Sequence, residues 1–237
     1  MHKTILGAPQ TKGRRLISRC PACGTWTVGL HQPCQNVFNE VAGQTTSLGS
    51  LGTYTVFGSS AAVENSVRLR CITDLYSAGI SFGGKRNASG LIRGMVLKPD
   101  SISGFVRTLT IVITCQEQDV SACTLVYYRS KRMQPRFLVK LVGTKFSRRG
   151  YGYLCMAVLK RVARQFGADI LVCSMPAAVC FYQHHRIGFV PCTTAQSSYA
   201  RLRCQEYRCS NFLHHQPDEC DTVAEACQYV QRKRPAF

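Results

Sequence analysis

Ser147-Arg148-Arg149-Gly150-Tyr151-Gly152-Tyr153 is the stretch that decides the reading of this chain. Upstream lies an alternating apolar run, Phe137 to Val142. Downstream, Tyr151, Leu154, Cys155, Val158, Val162 and Phe166 recur at helical spacing, and Gly167 follows as a C-cap. A strand that passes through a basic, glycine-bearing turn into a helix suits an anion. The turn presents successive backbone N–H groups, and the first helical turn adds its own unpaired N–H groups and the positive end of the helix dipole. Gly150 and Gly152 lack a Cβ, so a diphosphate can come close to the backbone.

Working outward, Ile170-Leu171-Val172-Cys173 is a continuous apolar run of the kind buried on both faces in a parallel pair. Residues 137–173 therefore predict a β-α-β unit with a right-handed crossover. Before it, Leu109 to Thr114, Cys123 to Tyr128 and Phe137 to Val142 are strand-like, with polar turns at Gln116 to Ser121 and Ser130 to Pro135. Short polar turns join an antiparallel meander. Thr53 to Phe57 predicts a first strand. Ser59 or Ser60 is placed to cap a helix with Val63, Val67, Cys71 and Leu75 on its apolar face. Gly79 to Gly90 reads as a loop. Met175 to about His185 predicts a second helix, Gly188-Phe189-Val190 a strand, and Tyr199 to Arg203 a last strand. The fold class is α/β: a mixed sheet with antiparallel strands followed by a parallel β-α-β unit.

This order resembles the GNAT superfamily of N-acetyltransferases over roughly residues 95–203. The family's first motif is Arg or Gln, two residues, Gly, one residue, then Gly or Ala. Gly150 and Gly152 match it, with Ser147 at the lead position. The later Phe-Tyr and Gly-Phe elements correspond to Phe181-Tyr182 and Gly188-Phe189, with Gln183 to Ile187 between them. The resemblance implies an acetyl-CoA site, with the diphosphate on the backbone of Arg148, Arg149, Gly150, Tyr151, Gly152 and Tyr153. Leu141, Val142 and Gly143 would line the pantetheine arm where two parallel strands splay. A backbone N–H near Val142 or Gly143 would polarise the thioester, and Tyr182 would protonate the leaving sulfur. Glu117, beside Asp119 at a strand turn, is the candidate general base. His184 and His185 are alternative proton relays.

Charge narrows the partners. The chain has 237 residues with 30 Lys+Arg against 12 Asp+Glu, a formal net charge of +18. Between Asp119 and Asp169 stand eleven Lys/Arg and no acid. Such a surface draws polyanions: a phosphorylated cofactor, nucleic acid or an acidic protein face. No run of about 18 apolar residues is present, so no membrane partner is expected.

Cysteine usage points to zinc or to thiols rather than disulfides. Fourteen cysteines, without a secretory leader, fit a reducing intracellular compartment, the nucleus or cytoplasm ahead of the mitochondrion. Cys115, Cys123, Cys155 and Cys173 sit in apolar runs and read as buried. Cys20, Cys23, His31 and Cys34 form two tight pairs able to hold one tetrahedral zinc ion, as in acetyltransferases with a small finger before the core. Cys204, Cys209, His214 or His215, and Cys220 form a looser set. The expected organisation is a basic arm at 1–19, a zinc-binding element at 20–38, a GNAT-like domain at 53–203 and a Cys/His-bearing basic tail at 204–237. The expected function is acetyl-CoA-dependent acetylation of a protein or peptide amine, a lysine or an N-terminus. The alternative is a module with weak or no catalysis that binds RNA, DNA or a ribonucleoprotein.

Overall fold

A computed structural model describes residues 18–19, 26–27, 42–58, 66–79, 88–97, 106–130, 133–203, 211–216 and 220–233. Strands β1 (Ser18–Arg19) and β2 (Trp26–Thr27) pair antiparallel by themselves. The main sheet has eight strands in the order β3-β4-β5-β6-β7-β8-β10-β9. They are β3 (Thr45–Ser47), β4 (Thr53–Gly58), β5 (Val106–Cys115), β6 (Gln118–Ser130), β7 (Met133–Thr144), β8 (Asp169–Ser174), β9 (Val190–Pro191) and β10 (Asn211–His215). All neighbours are antiparallel except β7 and β8. The open mixed sheet and the meander are as the sequence predicts.

Six α-helices lie among the described residues: α1 (Ser66–Gly79), α2 (Ala88–Val96), α3 (Tyr151–Gln165), α4 (Val179–Gln183), α5 (Thr194–Arg203) and α6 (Val223–Lys233). The crossover helix α3 links β7 to β8. It ends where Gly167 donates to the Arg164 carbonyl and Ala168 to the Ala163 carbonyl, a Schellman closure that uses the positive φ of Gly167.

The sheet separates two cores. On one face Val56, Ile111, Cys123, Leu125, Phe137 and Val139 pack with α3, and Val223, Ala226 and Val230 of α6 join the same cluster. On the other, α1 and α2 cover Val112, Ala122 and Leu141, while Val126, Leu138, Leu171 and Phe212 form a smaller cluster. The Tyr76 hydroxyl of α1 hydrogen-bonds Thr124 at 2.8 Å, and Thr124 bonds Thr110 at 2.8 Å, so this buried polar chain is satisfied.

One residue of β7 sets the geometry of the site. Thr124 pairs with Leu141 and Leu125 with Val139, so Lys140 is an extra residue, a β-bulge. The faces confirm it. Phe137, Val139 and Val142 share the α3 core, whereas Leu141 belongs to the α1 core. A bulge bends its strand and raises its twist. Parallel pairing with β8 runs from Arg136–Asp169 to Val139–Val172 and stops there, although β7 continues to Thr144.

Three sequence readings need correction. In α1 the buried side chains are Leu69, Ile72, Thr73, Leu75 and Tyr76, while Val67 is 71% exposed and Cys71 is exposed. Of the expected positions Leu75 is buried and Val63 lies outside the described residues; Val67 and Cys71 leave the buried face because it advances by 3.6 residues per turn rather than four. The reading of Tyr199 to Arg203 as a strand is also wrong, since it lies in α5. The missed signal was Thr193-Thr-Ala-Gln196, a capping box in which Thr193 N–H donates to Gln196 Oε1 at 2.9 Å and Gln196 N–H to Thr193 Oγ1 at 3.4 Å. Finally, the stretch read as a tail after 203 supplies β10 and α6 to this sheet and core, and β3 joins ahead of residue 53.

Candidate functional site

The cleft begins where β7 leaves β8. The Lys145 N–H donates to the Val120 carbonyl at 2.9 Å, and the Gly143 carbonyl accepts from Ser121 Oγ at 3.0 Å. Both groups therefore face β6. By strand alternation the N–H and C=O of Val142 and Thr144 face the opposite edge, where β8 has departed. Leu141, expected at the site, turns into the α1 core and is not among the cleft-lining residues. Val142, Gly143 and Thr144 do line it. Gly143 allows the strand to sit under α1: a Cβ there would lie 2.8 Å from Tyr76 Cδ1 and 3.2 Å from the Leu75 carbonyl.

The turn from Lys145 to Gly150 is held in an unusual backbone. Arg148 has φ 60 and Gly150 φ 83. For arginine the left-handed region costs about 1–2 kcal/mol. Left-handed residues within such a turn gather N–H groups into an anion-binding concavity. Leu154 N–H to the Gly150 carbonyl, 3.0 Å, is the first bond of α3, so the N–H groups of Tyr151, Gly152 and Tyr153 precede the ladder. No side chain caps this end, and its first turn has no acid. Lys145, Phe146, Ser147, Arg148 and Arg149 are exposed. A Cβ on Gly152 would lie 3.1 Å from Phe181 Cε2, so glycine here lets the Phe181 ring pack against the first turn of α3.

The far wall comes from α4 and α6. The cleft, about 450 Å³, is lined by Val142 to Thr144, the turn, Phe181, Tyr182, His184, Arg186 and Tyr229. That volume falls within the usual range for ligand sites. Tyr182 is 7% exposed, with its ring at 5.0 Å from Phe181 and 5.7 Å from Phe189. Burial pushes its phenol well above the ordinary value, and the nearby Cys123 and Cys155 thiols add to the shift. The group stays protonated at any physiological pH. His184 Nδ1 accepts from the Arg186 N–H at 3.3 Å, and its ring stacks on His185 at 4.2 Å.

Other expected residues fall elsewhere. Glu117 is exposed in a two-residue hairpin turn with φ 62, after Gln116 at φ 50, and does not line the cleft. Asp119 instead accepts from Thr114 Oγ1 at 2.8 Å. No carboxylate lines the cleft among the described residues. Cys20, Cys23, His31 and Cys34 lie outside the described residues. Among those described, no group of three or more His, Cys, Asp or Glu is placed to hold a metal ion, and Cys204 and Cys209 of the looser set also lie outside the described residues. No described helix is long and apolar enough to cross a membrane.

The site residue that sequence reasoning missed is Tyr229. Its helix shows an apolar stripe of Val223, Ala226 and Val230, but the cysteines and basic end of this segment drew the reading toward a tail. Asp221 anchors the helix. It accepts from Arg161 Nε at 2.9 Å and pairs with Arg161 Nη2 at 2.7 Å and Arg164 Nη2 at 3.7 Å, while its other oxygen accepts from Val223 N–H at 3.1 Å. Burial alone would raise the Asp221 carboxyl, but these hydrogen bonds and charges outweigh it and hold it below its ordinary value.

No protein-family model matches the chain, and no curated protein matches it. Among solved structures it is similar to a putative acetyltransferase of the GNAT family from Desulfovibrio desulfuricans, with TM-score 0.46, 9% identity, and coverage of 70% of this chain and 99% of the other. It is also similar to an N-acetylglutamate synthase from Neisseria gonorrhoeae complexed with coenzyme A and N-acetyl-glutamate, with TM-score 0.43, 13% identity, and coverage of 70% of this chain and 35% of that one. A cAMP-binding acyltransferase from Mycobacterium smegmatis gives TM-score 0.37 and 15% identity, over 84% of this chain and 57% of the other.

Proposed function

We propose that this chain is an acetyl-CoA-dependent N-acetyltransferase acting on an amine of a protein or peptide. The observation that carries the reading is the opened parallel edge. β7 stops pairing with β8 after Val139 and runs on to Thr144, directly ahead of a basic turn and an uncapped helix N-terminus. The donor set suits a pyrophosphate ester with a long amide-bearing arm. The N–H groups of Arg148 to Tyr153 would hold the phosphates, and the outward N–H and C=O groups of Val142 and Thr144 would pair with the arm's amides. Such a donor supplies an activated thioester carbonyl.

The chain's own residues then have three tasks. The Val142 N–H is turned toward the gap, where it can stabilise negative charge on a carbonyl oxygen. The buried Tyr182 hydroxyl remains protonated and can supply a proton to a leaving thiolate. The amine has to lose a proton, and among the described residues of the cleft, which include no carboxylate, His184 or an ordered water can accept it.

Calorimetry with acetyl-CoA tests the reading. The wild-type chain should bind, and Arg148→Glu/Arg149→Glu should weaken binding at least tenfold, about 1.4 kcal/mol. Absence of binding by the wild-type chain would sink the proposal. The charge of +18 favours a second reading, a non-catalytic module for nucleic acid. It predicts retention on RNA or DNA that falls steeply with salt.

A further inference from the structure

Helix α6 lies beyond the stretch that resembles an acetyltransferase, yet it forms a wall of the same cleft. Tyr229 lines the cleft and covers Gly150, its ring edge 2.8 Å from where a Cβ would stand. Around that ring lie the Arg186 guanidinium at 4.7 Å from the centroid, the Lys233 ammonium at 5.8 Å and the Tyr153 ring at 5.8 Å. The Tyr153 hydroxyl is buried beside Glu225, and burial, then the charge and hydrogen bond of that carboxylate, raise its pKa. Arg149 Nη1 reaches the Lys233 carbonyl across an exposed 3.4 Å contact, long enough to exchange for a better acceptor. Among the described residues, Arg148, Arg149, Arg232 and Lys233 have no carboxylate partner, while Arg186 pairs with Glu225 at 3.8 Å.

This is more positive charge than a diphosphate on the turn requires, and it gathers around an aromatic ring at the end of the turn. We propose that α6 completes the nucleotide end of the cofactor site. Tyr229 walls the nucleoside, and Arg149 with Lys233 takes a further phosphate monoester borne by its ribose. The proposal rests on the acyl-CoA reading of the cleft and adds a determinant for the 3′-phosphate. An aromatic ring flanked by cations recognises a base and a phosphate together. The bland alternative for Arg149 is a cation that closes the C-terminal end of α6.

The experiment compares acetyl-CoA with 3′-dephospho-acetyl-CoA by calorimetry on the full chain. The wild type should prefer the 3′-phosphorylated ligand by about ten- to a hundredfold, as for charge-assisted hydrogen bonds to one phosphate. Lys233→Gln/Arg149→Gln should erase most of that preference, whatever it does to affinity for the dephospho ligand. Lys233→Gln alone, which keeps the main-chain carbonyl, should lose part of it. Thermal melting of each variant reports folding separately. Equal binding of both ligands by the wild type, or a preference that survives the double substitution, would overturn the inference alone. Failure of both ligands to bind would overturn the acyl-CoA reading beneath it.

Discussion

Replacing Gly150 with alanine puts two separable costs on one atom. The backbone there has φ 83, where an L side chain costs about 1–2 kcal/mol. The new Cβ would also meet Tyr229 Cδ1 at 2.8 Å, Tyr229 Cε1 at 3.0 Å and Val230 Cγ2 at 3.2 Å. The ring cannot slide freely, because Tyr153 and Arg186 bear on it and Val230 is fully buried. Overpacking of this kind costs about 1–3 kcal/mol. The total is then about 2–5 kcal/mol for Gly150→Ala. In a Tyr229→Ala background most of the steric part disappears, and the same substitution should cost only about 1–2 kcal/mol. The coupling between the sites is therefore about 1–3 kcal/mol. Urea unfolding followed by circular dichroism, with m held constant across the four proteins, measures it. An equal cost in both backgrounds would mean that α6 does not rest on the turn. A cost near zero in the wild type would refute the left-handed turn as well.

Four further outcomes are expected. Because the Asp221 carboxyl is held below its ordinary value of about 3.9, its contribution to stability is present above that value and is lost as pH falls through its lowered pKa. Asp221→Asn should lower the melting temperature at pH 7 and shrink its fall toward pH 3, and an unchanged pH profile would argue against the Arg161 clamp. Tyr182→Phe should leave acetyl-CoA affinity unchanged but slow CoA release, with an amine that supports turnover, by about 10²-fold or more; full activity would remove the tyrosine from the chemistry. Brief alkylation of the native chain, read by peptide mass spectrometry, should modify exposed Cys71, Cys180 and Cys220 well before buried Cys115, Cys123 and Cys155. A zinc assay of the purified full chain tests Cys20, Cys23, His31 and Cys34 as ligands: stoichiometric metal lost on Cys23→Ser would support them, and a metal-free wild type would refute them.

The parts of this fold that were legible in the sequence are those written in local terms. The meander announced itself through apolar runs with polar turns, and α3 through its stripe and Gly167. The anion turn was visible because glycines and arginines share a short stretch between a strand and a helix. What escaped had a long-range cause. Leu141 stood as a site residue because the resemblance sets the pantetheine arm beside the end of this strand, and Phe137 to Val142, apolar on both sides of Lys140, carries no sign that would mark Lys140 as extra. Ten residues of α3 are buried, more than one stripe, because α6 brings Val223, Ala226 and Val230 to the same cluster from some seventy residues away. Nothing near α3 records that contact. Glu117 was plausible as a base only because carboxylates are scarce, and scarcity does not place a residue.

The bulge at Lys140 makes the cleft a matter of chain length. The residues on either side of it already face the cores they would face in a regular strand, so removal of a single codon leaves both cores with their present side chains. What changes is the path of β7, which would then run straight and continue its ladder along β8 past Val172. An insertion or deletion, rather than any exchange of side chains, therefore separates a chain with this cleft from an otherwise similar chain whose sheet is closed. Lineages that diverged at this point would differ by one column of an alignment while conserving every buried position around it.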